Sequence, residues 1–282
     1  MAELNDRPLK IGILNVMHDK LDTQKRFSYV LRHTGVPVDI TYFYPRMHYQ
    51  NRPVPDLVAQ ISEPLDLAKA EQMDAFIITG APLEHLDFSQ VTYIDEVREL
   101  MACLQHKKVE QLYVWWGAMA ALDYFYDIQK QMLPEKIFGI YPQEILADNS
   151  LLAGLKPGFL APHARYAEMN KKQIEQHPDL TLNSVSETGH MFLATADDAP
   201  QAFLFSHLEY GPQALLKEYK REAAAKPDQA ASLAKPQNYF ANPQEMKDPI
   251  FSWEKTQKKF YRNWIKQVAA NRKKLKGEMI YE

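Results

Sequence analysis

An alternation in the first half of the chain constrains the fold more than any other feature. Apolar runs of strand length take turns with segments whose apolar residues recur at helical spacing. KIGILNVM (10–17) reads as a buried strand, and Phe27, Val30 and Leu31 then fall on one face of a helix within 22–31. Thr34-Gly35 closes that helix, glycine being the residue that tolerates the left-handed turn at a helix end. VDITYFY (38–44) is a second strand, followed by a polar, proline-bearing loop from Pro45 to Pro55. DAFIITGAP (74–82) is a third strand, and VTYIDEVRELMACLQ (91–105) is an amphipathic helix. VEQLYVWW (109–116) is a fourth strand, and GAMAALDYFY opens the next helix. Strands that are apolar on both faces need cover on both faces, and intervening helices supply it only when the strands run parallel. The expected fold class is therefore α/β, with a doubly wound, mostly parallel sheet.

Beyond Pro134 the runs shorten. IFGIY (137–141), GFLAPHARYA (158–167), LTLNSVSET (180–188), HMFLATA (190–196) and AFLFSHLEY (202–210) read as strands joined by turns. PQALLKEYKREAAA (212–225) is a helix with proline in its first turn. Residues 226–250 read as an ordered surface loop. A long terminal helix over 252–274 carries Trp253, Phe260, Trp264 and Val268 as an apolar stripe, open to a partner or to its own domain. One domain over 9–268 and a basic tail over 269–282 are expected.

A net charge of -3 argues against a nucleic-acid binder. No apolar run reaches bilayer length and no apolar leader follows the N-terminus, so a cytoplasmic protein without a membrane partner is expected. The single cysteine, Cys103, rules out an internal disulfide or a cysteine-rich metal site. It lies inside a helical pattern and reads as an inert thiol.

In a parallel sheet, ligands gather at the carboxyl ends of the strands. Four stretches fall there: NVMHDK (15–20), TGAPLEHLDF (79–88), VWWGAM (114–119) and FSHLEY (205–210). His207 and Glu209, two apart in a strand, would point the same way, and the carboxylate would fix the imidazole tautomer. A half-buried histidine bonded to backbone fits the same letters. The Gly80 and Ala81 amides could face an anion, or form an ordinary strand-end turn. Arg165 and Arg221 are each read either as carboxylate binders or as salt-bridge partners. Trp115 and Trp116, adjacent in a strand, would face opposite sides.

The order of several long blocks resembles the homoserine O-acyltransferases of the homoserine trans-succinylase family, which have a class I glutamine-amidotransferase-like (flavodoxin-like) fold. The blocks include LNVMHDKLDTQKRFSYVL (14–31), FIITGAPLEHLDFSQVTY (76–93), GAMAALDYFYDIQKQMLPEKIFGIY (117–141), APHARYAEM (161–169) and HLEYGPQALLKEYKR (207–221). The resemblance implies His207 as base, Glu209 as its orienting carboxylate, and Lys20, Arg165 and Arg221 as substrate-binding residues. It also implies a homodimer, acetyl-CoA as cosubstrate, a small amino acid as acceptor, and no permanently bound cofactor or metal. The family's nucleophilic cysteine falls on Trp115 and its glutamine on Met119. Ala164, Ser206 and Leu208 also depart from the pattern. Glu84 stands where acetyl-transferring members carry glutamate, and a carboxylate there would repel succinate. Three functions fit these residues: direct acetyl transfer to homoserine or serine, a catalytically silent binding protein, or other chemistry against Trp115 as a wall.

Overall fold

The computed structural model describes residues 7–275 and residue 277. The elements in chain order are β1 (Leu9–Leu14), α1 (Lys20–Arg32), β2 (Val38–Tyr44), α2 (Asp56–Ile61), β3 (Glu63–Pro64), α3 (Leu67–Ala70), β4 (Ala75–Ile78), α4 (Ile94–His106), β5 (Glu110–Val114) and α5 (Trp116–Tyr126). They continue with β6 (Lys130–Ile145), β7 (Phe159–Met169), α6 (Lys171–Gln176), β8 (Leu180–Ser186), β9 (Met191–Ala196), β10 (Gln201–Leu204), α7 (Ala214–Ala225), β11 (Phe240–Asn242), β12 (Lys247–Pro249) and α8 (Glu254–Leu275).

Ten strands form one sheet in the order β3-β2-β1-β4-β5-β10-β9-β8-β6-β7. From β3 to β10 every neighbouring pair is parallel, and from β10 to β7 every pair is antiparallel. The chain winds outward from β1 through β2 to β3, then returns to β4 and continues the other way. The direction therefore reverses between β1 and β4. Residues of β4, β5 and β10 are buried throughout, as strands covered on both faces must be. The fold is α/β with a large, mostly parallel sheet, as expected, and the shorter runs beyond Pro134 build its antiparallel wing.

Several local expectations are corrected. The region after Pro45 holds a 3-10 turn (Met47–Tyr49), and α2, β3 and α3 follow it. These elements are too short to show a period. β6 continues across Pro134 and Pro142 into a 16-residue strand. β10 ends at Leu204, so His207 and Glu209 lie in a turn and not in a strand. Residues 226–250 contain a 3-10 turn and the β11–β12 hairpin. The α8 helix runs to Leu275, so residues 269–275 belong to it, while 276 and 278–282 lie outside the described residues. The stripe on α8 is spent on the chain's own core: Trp253, Phe260, Tyr261, Trp264, Ile265 and Val268 are buried. It is not an open face for a partner. Among the described residues, no helix is long and apolar enough to cross a membrane.

Candidate active site

Because β1, β4, β5 and β10 are parallel neighbours, their carboxyl ends open on one edge of the sheet. Each contributes a different part of the site. After β5 the chain turns at Trp115 directly into α5. Trp115 has φ 48° and ψ -107°, a conformation that bulky residues rarely adopt. Its N–H donates to Leu204 O at 2.8 Å, and its carbonyl accepts from Met119 N at 2.9 Å. A sharp strand-to-helix turn of this kind lifts one side chain out over the sheet edge. The indole so presented lies 5.4 Å from the His207 ring, centroid to centroid. Trp116 turns the other way into the core, against Phe88 and Tyr93.

Gly80 follows β4. A Cβ there would sit 2.8 Å from Trp115 Cε3 and 3.6 Å from His207 Cε1, so the indole is accommodated only because this residue has no side chain. Ala81 beside it is fully buried. Gly117, in the first turn of α5, lies against β4 so closely that a Cβ would stand 2.5 Å from Ile78 O.

The turn after β10 holds His207 rigidly. Its Nδ1 donates to Glu209 Oε1 at 2.8 Å, and both side chains are buried. The backbone N–H of His207 and the hydroxyl of Ser206 both donate to Pro162 O, at 3.2 and 2.7 Å. Tyr210 stacks on the imidazole at 4.3 Å, and the Arg26 guanidinium lies 4.5 Å from the Tyr210 ring centroid. Gln257 of α8 donates to Leu208 O and Tyr210 O, and Trp253, just before α8, donates from Nε1 to Tyr210 O at 3.0 Å. The pairing of His207 with Glu209 is thus made by a turn clamped from two sides, not by strand alternation.

The cleft around these residues has a volume of about 350 Å³. Glu84 lines it with one carboxylate oxygen unpartnered, and burial pushes its carboxyl up from the usual range. Arg221 enters from α7 and donates to His18 Nε2 at 2.8 Å. Burial and the Arg221 charge push the His18 imidazole down, which favours the neutral acceptor form. Sequence reading did not single out Lys136. Its ammonium bridges Glu218 at 2.9 Å and Glu222 at 2.8 Å on the cleft wall. Burial alone would raise the Glu222 carboxyl, but hydrogen bonds from Lys136, Tyr166 and Lys226 pull it down to about 2. Glu218, Arg221 and Glu222 occupy positions i, i+3 and i+4 of one helix, so Arg221 did carry a signal for its neighbours. A lone lysine in β6 carried none.

Two expected residues stand elsewhere. Arg165 is fully buried and lines neither the His207 cleft nor the larger cavity beside it. It donates to Phe205 O, to Met191 O at 2.8 Å, and to Glu168. It props the β10 end from below. Lys20 lines a larger neighbouring cavity, where its Nζ donates to Asn15 O at 2.6 Å. Burial, with the Arg52 charge adding to it, brings its ammonium down to about 8. Cys103 is partly buried on α4, away from the cleft, and burial raises its thiol.

The profile of the homoserine O-succinyltransferase family matches residues 2–274. A serine O-acetyltransferase of Lactobacillus acidophilus is 52% identical over 94% of this chain and 97% of its own length. A serine O-acetyltransferase of Lacticaseibacillus casei is 48% identical over the same shares. A homoserine O-acetyltransferase of Acetivibrio thermocellus is 32% identical over 92% of this chain and 84% of its own length. In fold the chain is similar to a glutamine amidotransferase of Thermotoga maritima, with a TM-score of 0.59 at 12% identity, covering 93% of this chain and 98% of that one. A glutamine amidotransferase of Methylobacillus flagellatus gives 0.53 at 12% identity, covering 98% and 96%. The architecture is that of the class I glutamine amidotransferases, and the chain belongs to the homoserine O-succinyltransferase family.

Proposed function

We propose that the cleft binds L-serine or L-homoserine and transfers an acetyl group to its hydroxyl directly from acetyl-CoA, without an acyl-enzyme. The observation that carries this is the intact His207–Glu209 pair facing an indole at the elbow. An indole N–H is only a donor and offers no nucleophile. The thioester is already activated, so a positioned base suffices for attack. His207 Nε2 takes the hydroxyl proton while the oxygen attacks the thioester carbon. The tetrahedral adduct collapses with cleavage of the C–S bond, and the imidazolium returns the proton to the departing thiolate. Glu209 holds the imidazole orientation and offsets the imidazolium charge. Arg221 offers its fork to the amino acid's carboxylate, and Glu218 on the same helix faces the ammonium.

Glu84 favours acetyl over succinyl. A second carboxylate beside its unpartnered oxygen would bring like charges together in a half-dry pocket. The similarity to enzymes named serine O-acetyltransferase supports serine as acceptor. A silent binding protein is the second reading. It is favoured by the same Trp115, whose ring stands against Gly80 and His207 where reacting groups would meet.

The test is turnover of acetyl-CoA with each amino acid, followed by thiol release and by intact mass. Direct transfer predicts product, no acetylated protein, and a loss of about 100-fold or more in His207→Ala. An acetyl adduct on the unmodified chain overturns the direct route. Amino-acid binding without thiol release establishes the silent reading. In that case Trp115→Cys with Met119→Gln should restore an adduct of one acetyl group.

A further inference from the structure

The larger cavity beside the cleft has a volume of about 700 Å³. It opens between the β1–α1 loop and the segment after β4, where the direction of winding reverses. Such a reversal leaves a gap at the strand ends that helices do not cover, and it is a common seat for ligands. The wall is largely apolar, with Val16, Leu21, Leu57, Val58 and Val91 among the lining residues. A volume of this order takes a drug-sized body, more than a serine needs.

Charge is placed unevenly around it. Lys20 and His48 line the cavity, and Arg52 donates to His48 O at 3.1 Å and to the His48 ring. Among the described residues, none of these three pairs with a carboxylate. The one acidic residue in the lining, Asp19, is engaged as the N-cap of α1, accepting from Asp22 N at 3.0 Å. Lys20 and Arg52 thus stand without an ion-pair partner beside a His48 ring that accepts from Arg52, while the Asp19 carboxylate is turned to the start of α1, so an anion would meet two unpaired cations here. Arg52 is exposed, and its field depresses both Lys20 and His48, in each case after burial. The cavity shares Met17, His18 and Pro82 with the His207 cleft, so the two meet at one constriction.

We propose that this cavity seats the acyl donor: the pantetheine arm of a coenzyme A thioester lies along the apolar wall, its phosphates face Lys20, His48 and Arg52, and its thioester end passes Met17, His18 and Pro82 to reach His207. This rests on the acetyl-CoA reading above. It divides the site into a donor cavity at the β1/β4 gap and an acceptor cleft under α7, each with its own determinants.

The test uses the full chain and unreacting ligands, free coenzyme A and L-serine, titrated separately by calorimetry. Arg52→Glu and Leu57→Asp change exposed side chains, so circular dichroism should stay as in the parent. Each should weaken coenzyme A by about tenfold or more and leave L-serine within about twofold. Arg221→Ala should do the reverse. The salt dependence of coenzyme A binding should flatten in Arg52→Glu, because phosphate contacts are lost. Coenzyme A binding that is intact in both variants places the donor elsewhere and overturns the cavity assignment, while the acetyl-CoA reading stands. No binding of coenzyme A to the parent chain removes that reading and the assignment together. If Leu57→Asp leaves coenzyme A untouched but dissociates a dimer in sedimentation, the face is an interface between copies, and the proposal falls.

Discussion

At the residue scale, Trp115 keeps a turn whose backbone geometry suits a nucleophile and fills it with a side chain that has no nucleophilic atom. A bulky residue at positive φ costs about 1–3 kcal/mol, which the surrounding structure must offset. Here the offset comes from the ladder on either side and from Gly80, whose missing side chain is the room the indole occupies. That coupling is testable. Gly80→Ala should destabilise the parent by about 1–3 kcal/mol in urea unfolding, through overpacking against Trp115. In a Trp115→Ala background the same change should cost less than half as much, since the atom it meets is gone. Equal costs in both backgrounds would show that the glycine answers to its backbone and not to the indole.

At the scale of elements, two clamps brace the sheet, one under the site and one at the opposite end of β5. Arg165 on β7 holds the end of β10 through Phe205 O while paired with Glu168. Arg165→Met removes the cation but leaves Glu168 in place, so a loss of about 3–5 kcal/mol is expected. The turn carrying His207 should loosen with it, lowering kcat more than it raises KM for the amino acid. The second clamp joins α8 to β5, where Gln267 donates to the buried Glu110. Burial pushes the Glu110 carboxyl up to about 7, against an ordinary value of 4.5, with the Gln267 bond acting the other way. The folded state therefore binds this proton more tightly than the unfolded chain. Its contribution is present at low pH and is lost as pH rises from about 4.5 through 7, a difference worth about 3 kcal/mol. Glu110→Gln should remove that slope, so the melting temperature of the variant should gain on the parent between pH 5 and 8. A constant gap across that range would show that Glu110 is ionised in the folded protein.

At the scale of the whole molecule, the parallel half of the sheet carries the strand-end groups, and α8 binds that half to the rest. Trp253, Phe260, Tyr261, Trp264, Ile265 and Val268 are all buried, and Gln257 and Trp253 reach the His207 turn itself. At about 1.5–3 kcal/mol for each buried side chain, their sum approaches or exceeds the net stability of an ordinary domain. A chain ending at Ser252 should show no cooperative thermal transition. A cooperative melt of that fragment would mean that α8 is an appendage. The same packing spends the apolar stripe of α8 inside the chain and leaves its polar face, with Lys258, Arg262 and Lys266, on the surface.

By itself the sequence determined the period of each segment, and hence the parallel core. It also determined which side chains stand at the ends of β1, β4, β5 and β10, because burial on both faces forces long apolar runs with turns between them. The blocks around Gly80, Trp115 and His207 were legible for that reason, and so was the departure at Trp115. Only the tertiary structure decided what those ends share. His207 meets Glu209 through a turn held by β7 and α8, which no local spacing encodes. Arg165 sits beneath the His207 turn and Lys20 in the neighbouring cavity, a placement their letters do not encode. Lys136 joins the cleft from β6 because a strand distant in sequence passes next to α7. Periodicity is a property of neighbours along the chain, whereas a site is made by neighbours in space, and sheet order and register bring those together.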